Sequence, residues 1–291
     1  MKHHTIIGGG GTRLHLVEAG DPHAPSILFL HGCSQSWLTW DRQLRSELAR
    51  GHRLVAMDLR GHGWSERPRE GYDDSRLWAA DVDAVIRELE LDRPILCGWS
   101  YGPLVILDYI RHYGEERIGG IHLVGAVTKL GSEAATAVLT PEFLAVLPGL
   151  FSSDVGESVR GLGSLLHLCL SHEPEASDAY TMLGFNVSVP PFVRQAMLTR
   201  VVDNDDLLPT IAAPALITHG ALDAVVREDV VAQHRAGLPH AQVHVMPGAG
   251  HAPFWDDAAA FNRRLGAFRE EVARGKPSSP VDVGASRRSI E

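Results

Sequence analysis

Runs of consecutive apolar residues alternate along this chain with stretches where apolar residues return every three or four positions, and the two patterns predict different elements. Ser26-Ile27-Leu28-Phe29-Leu30 and Arg53-Leu54-Val55-Ala56-Met57 are short and nearly unbroken, as strands buried on both faces must be. Between them Trp37, Trp40, Leu44 and Leu48 recur at helical spacing and predict an amphipathic helix over 37–49. Leu77, Trp78, Val82, Val85, Ile86 and Leu89 predict a second over 75–91. The alternation continues with strands over 94–99, 118–127, 214–219 and 242–246 and helices after Ser100, near 227–236 and from Asp256 to about Ala273. Strand and helix in such repetition predict an α/β class fold, a mostly parallel central sheet with helices on both faces.

Residues 128–209 break the alternation. Phe143, Leu147, Leu150, Leu165, Phe185 and Met197 belong to helix-like segments there, and about 80 residues is far more than a strand-to-helix connection needs. The segment predicts an inserted, mainly helical cap over the sheet edge where ligands bind, with the core divided into 1–127 and 210–274. Residues 275–291 carry Lys276-Pro277-Ser278-Ser279-Pro280 and no apolar period, which predicts a disordered tail. Gly8–Gly11 do not join a strand to a helix as a phosphate-binding loop would, and they read as flexible.

Composition narrows the function. With 27 basic against 36 acidic side chains the formal charge is −9, and the clustered Lys and Arg that phosphate backbones require are missing, which argues against nucleic acid as a partner. A small-molecule substrate is expected instead. Three cysteines, Cys33, Cys97 and Cys169, are widely spaced with no Cys-x-x-Cys pair, so neither a disulfide framework nor a zinc site is expected. The start lacks the apolar stretch of a signal peptide and no run of about 18 apolar residues occurs. The expectation is a soluble cytoplasmic protein with no membrane partner; its oligomeric state is not legible.

Chemistry enters at Gly98-Trp99-Ser100-Tyr101-Gly102, which places a serine between two glycines directly after the apolar run Pro94–Cys97. A strand that turns sharply into a helix has no room for a Cβ two positions before or after the turn residue, so the spacing predicts a nucleophile elbow. A serine hydroxyl needs a base to take its proton and a third group to orient that base. Two later strands offer them. Ala215–Gly220 runs on to Asp223, and Val243–Met246 runs through Pro247-Gly248-Ala249-Gly250 to His251.

With these residues in view the chain resembles the α/β-hydrolase superfamily over about residues 12–272, the cap excepted. His31-Gly32, Asp58-Leu59-Arg60-Gly61-His62-Gly63-Trp64-Ser65, His219-Gly220-Ala221-Leu222-Asp223 and Gly250-His251 carry the resemblance beside the elbow. It implies that the catalytic residues are Ser100, Asp223 and His251, with the backbone N–H groups of Cys33 and Tyr101 as oxyanion donors, and it implies no cofactor and no metal. Similar epoxide hydrolases and haloalkane dehalogenases carry aspartate where Ser100 stands, so the serine points to acyl transfer. No carboxylate lies at 126–128, the family's other acid position, which favours Asp223. Pro103 replaces a frequent glycine, a change a first helical turn tolerates.

Other residues compete for these roles and fit them less well. His31 is a candidate for bracing the oxyanion loop, and Trp37 and Trp99 for pocket walls. His62 sits in a glycine-rich turn and His219 and His244 within strands; Asp203, Asp205 and Asp206 precede a strand instead of following one. A Cys33 nucleophile would need a base or helix N-terminus beside it. The expected activity is hydrolysis of a small to medium, largely apolar carboxylic ester or lactone through an acyl-enzyme. Three alternatives remain at this stage: a haloperoxidase-like perhydrolase, a carbon–carbon bond hydrolase of a diketone, and a receptor with slow or no turnover on the same fold.

Overall fold

A computed structural model describes residues 1–275; the expected tail beyond Gly275 lies outside the described residues. Ten strands form: β1 (Lys2–Ile7), β2 (Arg13–Ala19), β3 (Ser26–Leu30), β4 (Arg53–Met57), β5 (Ile95–Trp99), β6 (Gly120–Val124), β7 (Lys129–Leu130), β8 (Val202–Asp203), β9 (Ala215–Gly220) and β10 (Gln242–Met246). Eight of them make one sheet in the order β1-β2-β4-β3-β5-β6-β9-β10. The pairs β1/β2 and β2/β4 are antiparallel and every later pair is parallel. β3, β5, β6 and β9 are buried at every position, which is why their sequences read as continuous apolar runs rather than alternating ones.

Helices cover both faces. Ser75–Glu88 packs on Gly102–Tyr113, and Ala258–Ala273 packs with the short helices Asp41–Leu44, Leu48–Gly51 and Pro253–Asp256. Register fixes which side chains meet the second layer: Phe29, Cys97 and His122 are neighbours across β3, β5 and β6. Phe29 lies against Trp40 at 4.8 Å between ring centroids, and His122 stacks on Phe261 at 5.2 Å.

Two local readings change. The helix expected over 37–49 is a 3-10 turn, Trp37–Trp40, followed by two single-turn helices. Ser46 explains the break, because its hydroxyl donates to the Gln43 carbonyl and accepts from the Leu48 amide, offering the backbone partners outside a helix. Gly8–Gly11 are not a loose linker: the Gly9 amide donates to Asp81 and its carbonyl accepts from Arg60, inside a buried Arg60–Asp81 pair.

Between β6 and β9 the chain forms five helices, Glu133–Ala137, Pro141–Phe151, Val155–Cys169, Ala176–Val187 and Pro191–Leu198, closed at the base by the β7/β8 ribbon. Side chains tie this insertion to the core. Arg200 reaches back to Tyr101 and Asp108, both at 2.9 Å, and Arg42 pairs with Asp178 at 2.7 Å. Among the described residues no helix is long and apolar enough to cross a membrane.

Candidate active site

The parallel strands end at one edge of the sheet, and the candidate residues follow those ends. At the β5 terminus Ser100 has φ +58°, a left-handed conformation that a residue with a Cβ adopts only where its surroundings enforce it. The enforcement is visible at the flanking glycines. A Cβ on Gly98 would sit 2.7 Å from the Gly102 carbonyl carbon, and one on Gly102 would sit 2.5 Å from the Leu30 carbonyl oxygen. Pro103 occupies the first turn of the helix Gly102–Tyr113, where no partner is needed for the N–H it lacks.

Asp223 follows β9 through a tight turn in which its amide donates to the Gly220 carbonyl, while Leu222 donates to Ala249 in the loop after β10. Gly220 makes that approach possible, since an added Cβ would lie 2.0 Å from the Gly250 carbonyl oxygen. The result brings His251 Nδ1 to 2.8 Å from Asp223 Oδ2. Asp223 Oδ1 accepts from the Val225 and Val226 amides, each at 2.8 Å. Burial works to raise the pKa of this carboxyl, but His251 above all, with His219 and the Val226 amide, outweighs it and holds the group below its ordinary range. His219 Nε2 stands 3.6 Å from the same carboxylate, too far for a hydrogen bond.

Because an ionised carboxylate only accepts, the Asp223 contact assigns a proton to His251 Nδ1 and leaves Nε2 with a lone pair. Ser100 and His251 line one cavity, in which the structure makes no hydrogen bond between them. Trp99 locks the histidine loop from behind by donating its indole N–H to the His251 carbonyl at 2.7 Å.

The loop after β3 supplies the opposite wall. His31 donates from Nδ1 to the Gly32 carbonyl at 2.7 Å and accepts from the Leu59 amide at 3.0 Å. His62 likewise accepts from the Ser34 amide and donates to the Arg60 carbonyl. Burial lowers the pKa of both rings, His62 to about 4, so both remain neutral struts. The Cys33 and Tyr101 amides make no hydrogen bond within the described residues and flank the Ser100 cavity. Burial pushes the Cys33 thiol up to about 12, which leaves no thiolate at neutral pH.

The cavity holds about 80 Å³ and is walled mainly by apolar residues of the insertion, including Phe143, Leu147, Leu150 and Leu165. Its polar side chains beside Ser100 and His251 include one carboxamide, Gln35, which sequence reading passed over because nothing in its neighbourhood marks it. Trp99 lines this cavity and Trp37 does not. Its amide donates to Asp58 at 2.7 Å, and its ring faces an outer groove beside Trp64. Among the described residues no cluster of three or more His, Cys, Asp or Glu side chains is placed to hold a metal ion.

A serine on a strained elbow that shares an apolar cavity with the histidine of a buried His–Asp pair defines a hydrolase of α/β architecture. The sequence pattern of the alpha/beta hydrolase fold family matches residues 25–258, and the chain belongs to that family. An esterase from Rhodococcus sp. ECU1013 is 33% identical, with a TM-score of 0.89 over 94% of this chain and 100% of that one. A 2-hydroxy-6-oxononadienedioate/2-hydroxy-6-oxononatrienedioate hydrolase from Cupriavidus pinatubonensis is 26% identical over 88% of this chain and 90% of its own. A bromoperoxidase from Bacillus anthracis shares the fold at 22% identity and TM-score 0.80, covering 92% of this chain and 100% of that one.

Proposed function

We propose that this protein is a cofactor-free serine hydrolase that cleaves a small to medium, largely apolar carboxylic ester or lactone through an acyl-enzyme. One observation carries the reading: His251, held by Asp223 at 2.8 Å, lines the same apolar cavity as a serine fixed at φ +58°. In this reading Ser100 Oγ attacks the carbonyl carbon while His251 Nε2 takes its proton. The Cys33 and Tyr101 amides receive the oxyanion, each worth about 3 kcal/mol in the transition state. His251 then returns the proton to the leaving alcohol, and water releases the acid by the same steps in reverse order.

The polarity of the cavity supports an uncharged, largely apolar acyl group, since its wall is mainly aliphatic and aromatic. The lining contains no Lys or Arg, so a dicarboxylate of the kind named for the Cupriavidus relative would be buried without a counter-ion, an unfavourable transfer. An ester carries no such charge.

Short-chain p-nitrophenyl esters, a lactone and a diketone, assayed with and without peroxide, test the reading. The expected result is ester or lactone turnover that needs no peroxide and falls by at least about 10³-fold in Ser100→Ala with the circular dichroism spectrum unchanged. Turnover of the diketone alone, or a Ser100→Ala variant that keeps a tenth of the activity, would overturn it.

A further inference from the structure

Behind the wall formed by Gln35, Trp99 and Cys169 lies a second chamber of about 20 Å³. Its lining includes Trp99 and Ala252, the chain neighbours of Ser100 and His251. It is far too small for either half of an ester, yet larger than the 10–15 Å³ or so that one water requires. One end is polar. Gln35 Nε2 donates to Asn186 Oδ1 at 3.2 Å, and Thr39 Oγ1 donates to Gln35 Oε1 at 3.3 Å. These bonds leave Gln35 with a second N–H and a second lone pair, and the side chain is buried between the two spaces. On its far side the chamber is closed by Phe185, which also lines an open surface groove with Trp37, Trp64 and Tyr180.

We propose that this chamber seats the water that completes the reaction, entering past Phe185 and held by Gln35 with Thr39 and Asn186 at the edge of the apolar cavity. The inference rests on the acyl-enzyme reading. A water must reach the acyl carbon once the alcohol has left, and Gln35 is a polar side chain shared by both spaces. In the step itself the water oxygen bonds to the acyl carbon while His251 Nε2 takes one of its protons. The tetrahedral adduct collapses, the bond from carbon to Ser100 Oγ breaks, and His251 gives the proton to that oxygen. A carboxylic acid leaves, with no change in oxidation state. Gln35 is therefore a water-positioning residue whose loss slows deacylation more than acylation.

Rapid mixing with p-nitrophenyl acetate measures acylation from nitrophenol release, and intact-protein mass spectrometry measures decay of the acetylated enzyme. Gln35→Leu is expected to slow decay at least about tenfold more than it slows acylation, with acetyl-enzyme accumulating. Equal loss in both steps, or no change in decay, would overturn the proposal. Should Gln35→Leu fail to fold, Thr39→Val decides by the same ratio: slower decay at unchanged acylation supports the water site, and an unchanged ratio refutes it. A wild-type protein that never forms an acetyl-enzyme on Ser100 would instead refute the underlying acyl-enzyme reading.

Discussion

Asp223 shows how much one side chain's hydrogen bonds decide. Its Oδ1 is committed to the Val225 and Val226 amides, so in Asp223→Asn the carbonyl oxygen keeps that side and the amide NH₂ faces His251. A donor at that place forces the ring proton to Nε2, and the imidazole loses the lone pair that takes the proton from Ser100. The expected outcome is a fall in kcat on the order of 10⁴-fold with unfolding by urea little changed. A variant within tenfold of wild type would mean that Asp223 does not orient the base. Residues of this kind were legible in the sequence because each stands just past a strand end in a fixed order. Gln35 was not, since a glutamine in a loop acquires meaning only from the Asn186 and Thr39 side chains that folding brings to it.

At the scale of elements, the insertion is held by a few buried polar links that its own sequence does not announce. Arg200, between the last helix of the insertion and β8, bonds Tyr101, the residue after the nucleophile, and Asp108 in the helix Gly102–Tyr113, and both it and Asp108 are almost wholly buried. Burial raises the Asp108 carboxyl to about 6 despite the opposing pull of Arg200. Removing one partner of such a pair strands the other's charge, at a cost of about 3–5 kcal/mol. Arg200→Ala is therefore expected to lose about that much stability in urea denaturation, and Arg200→Met combined with Asp108→Leu is expected to regain a large part of it. Equal stability of Arg200→Ala and wild type would contradict this view of the attachment. Periodicity predicted that the insertion would be helical but gave no sign of the β7/β8 ribbon, whose two-residue strands are too short to leave a pattern. The β1/β2 hairpin was likewise invisible, because β1 is an edge strand whose histidines and threonine alternate only weakly with apolar residues.

Taken whole, the molecule keeps several histidines neutral in its interior: His31 and His62 in the loops under the cavity, His122 in β6, and His234 beside Thr128 and Asp205. Burial lowers all four, His62 and His234 to about 4 from an ordinary 6.5. The unfolded chain thus binds protons below 6.5 that the folded chain refuses, so their stabilisation is complete above that pH and is lost as pH falls toward 4. At pH 5 His62 and His234 each account for a loss on the order of 2 kcal/mol. The urea midpoint is expected to drop between pH 7 and pH 5, and an unchanged midpoint would show that these rings are not held neutral. The parallel sheet was the most legible feature at this scale, because strands buried on both faces write themselves as apolar runs such as Ile27–Leu30 and Ala215–Ile217.

Labelling with a fluorophosphonate probe, followed by mass spectrometric mapping, tests the central claim most directly. A single modification on Ser100 is predicted, absent from Ser100→Ala and much slowed in His251→Ala, both folded as wild type. A probe that settles on another residue, or that labels the wild-type and Ser100→Ala proteins alike, would contradict the site described.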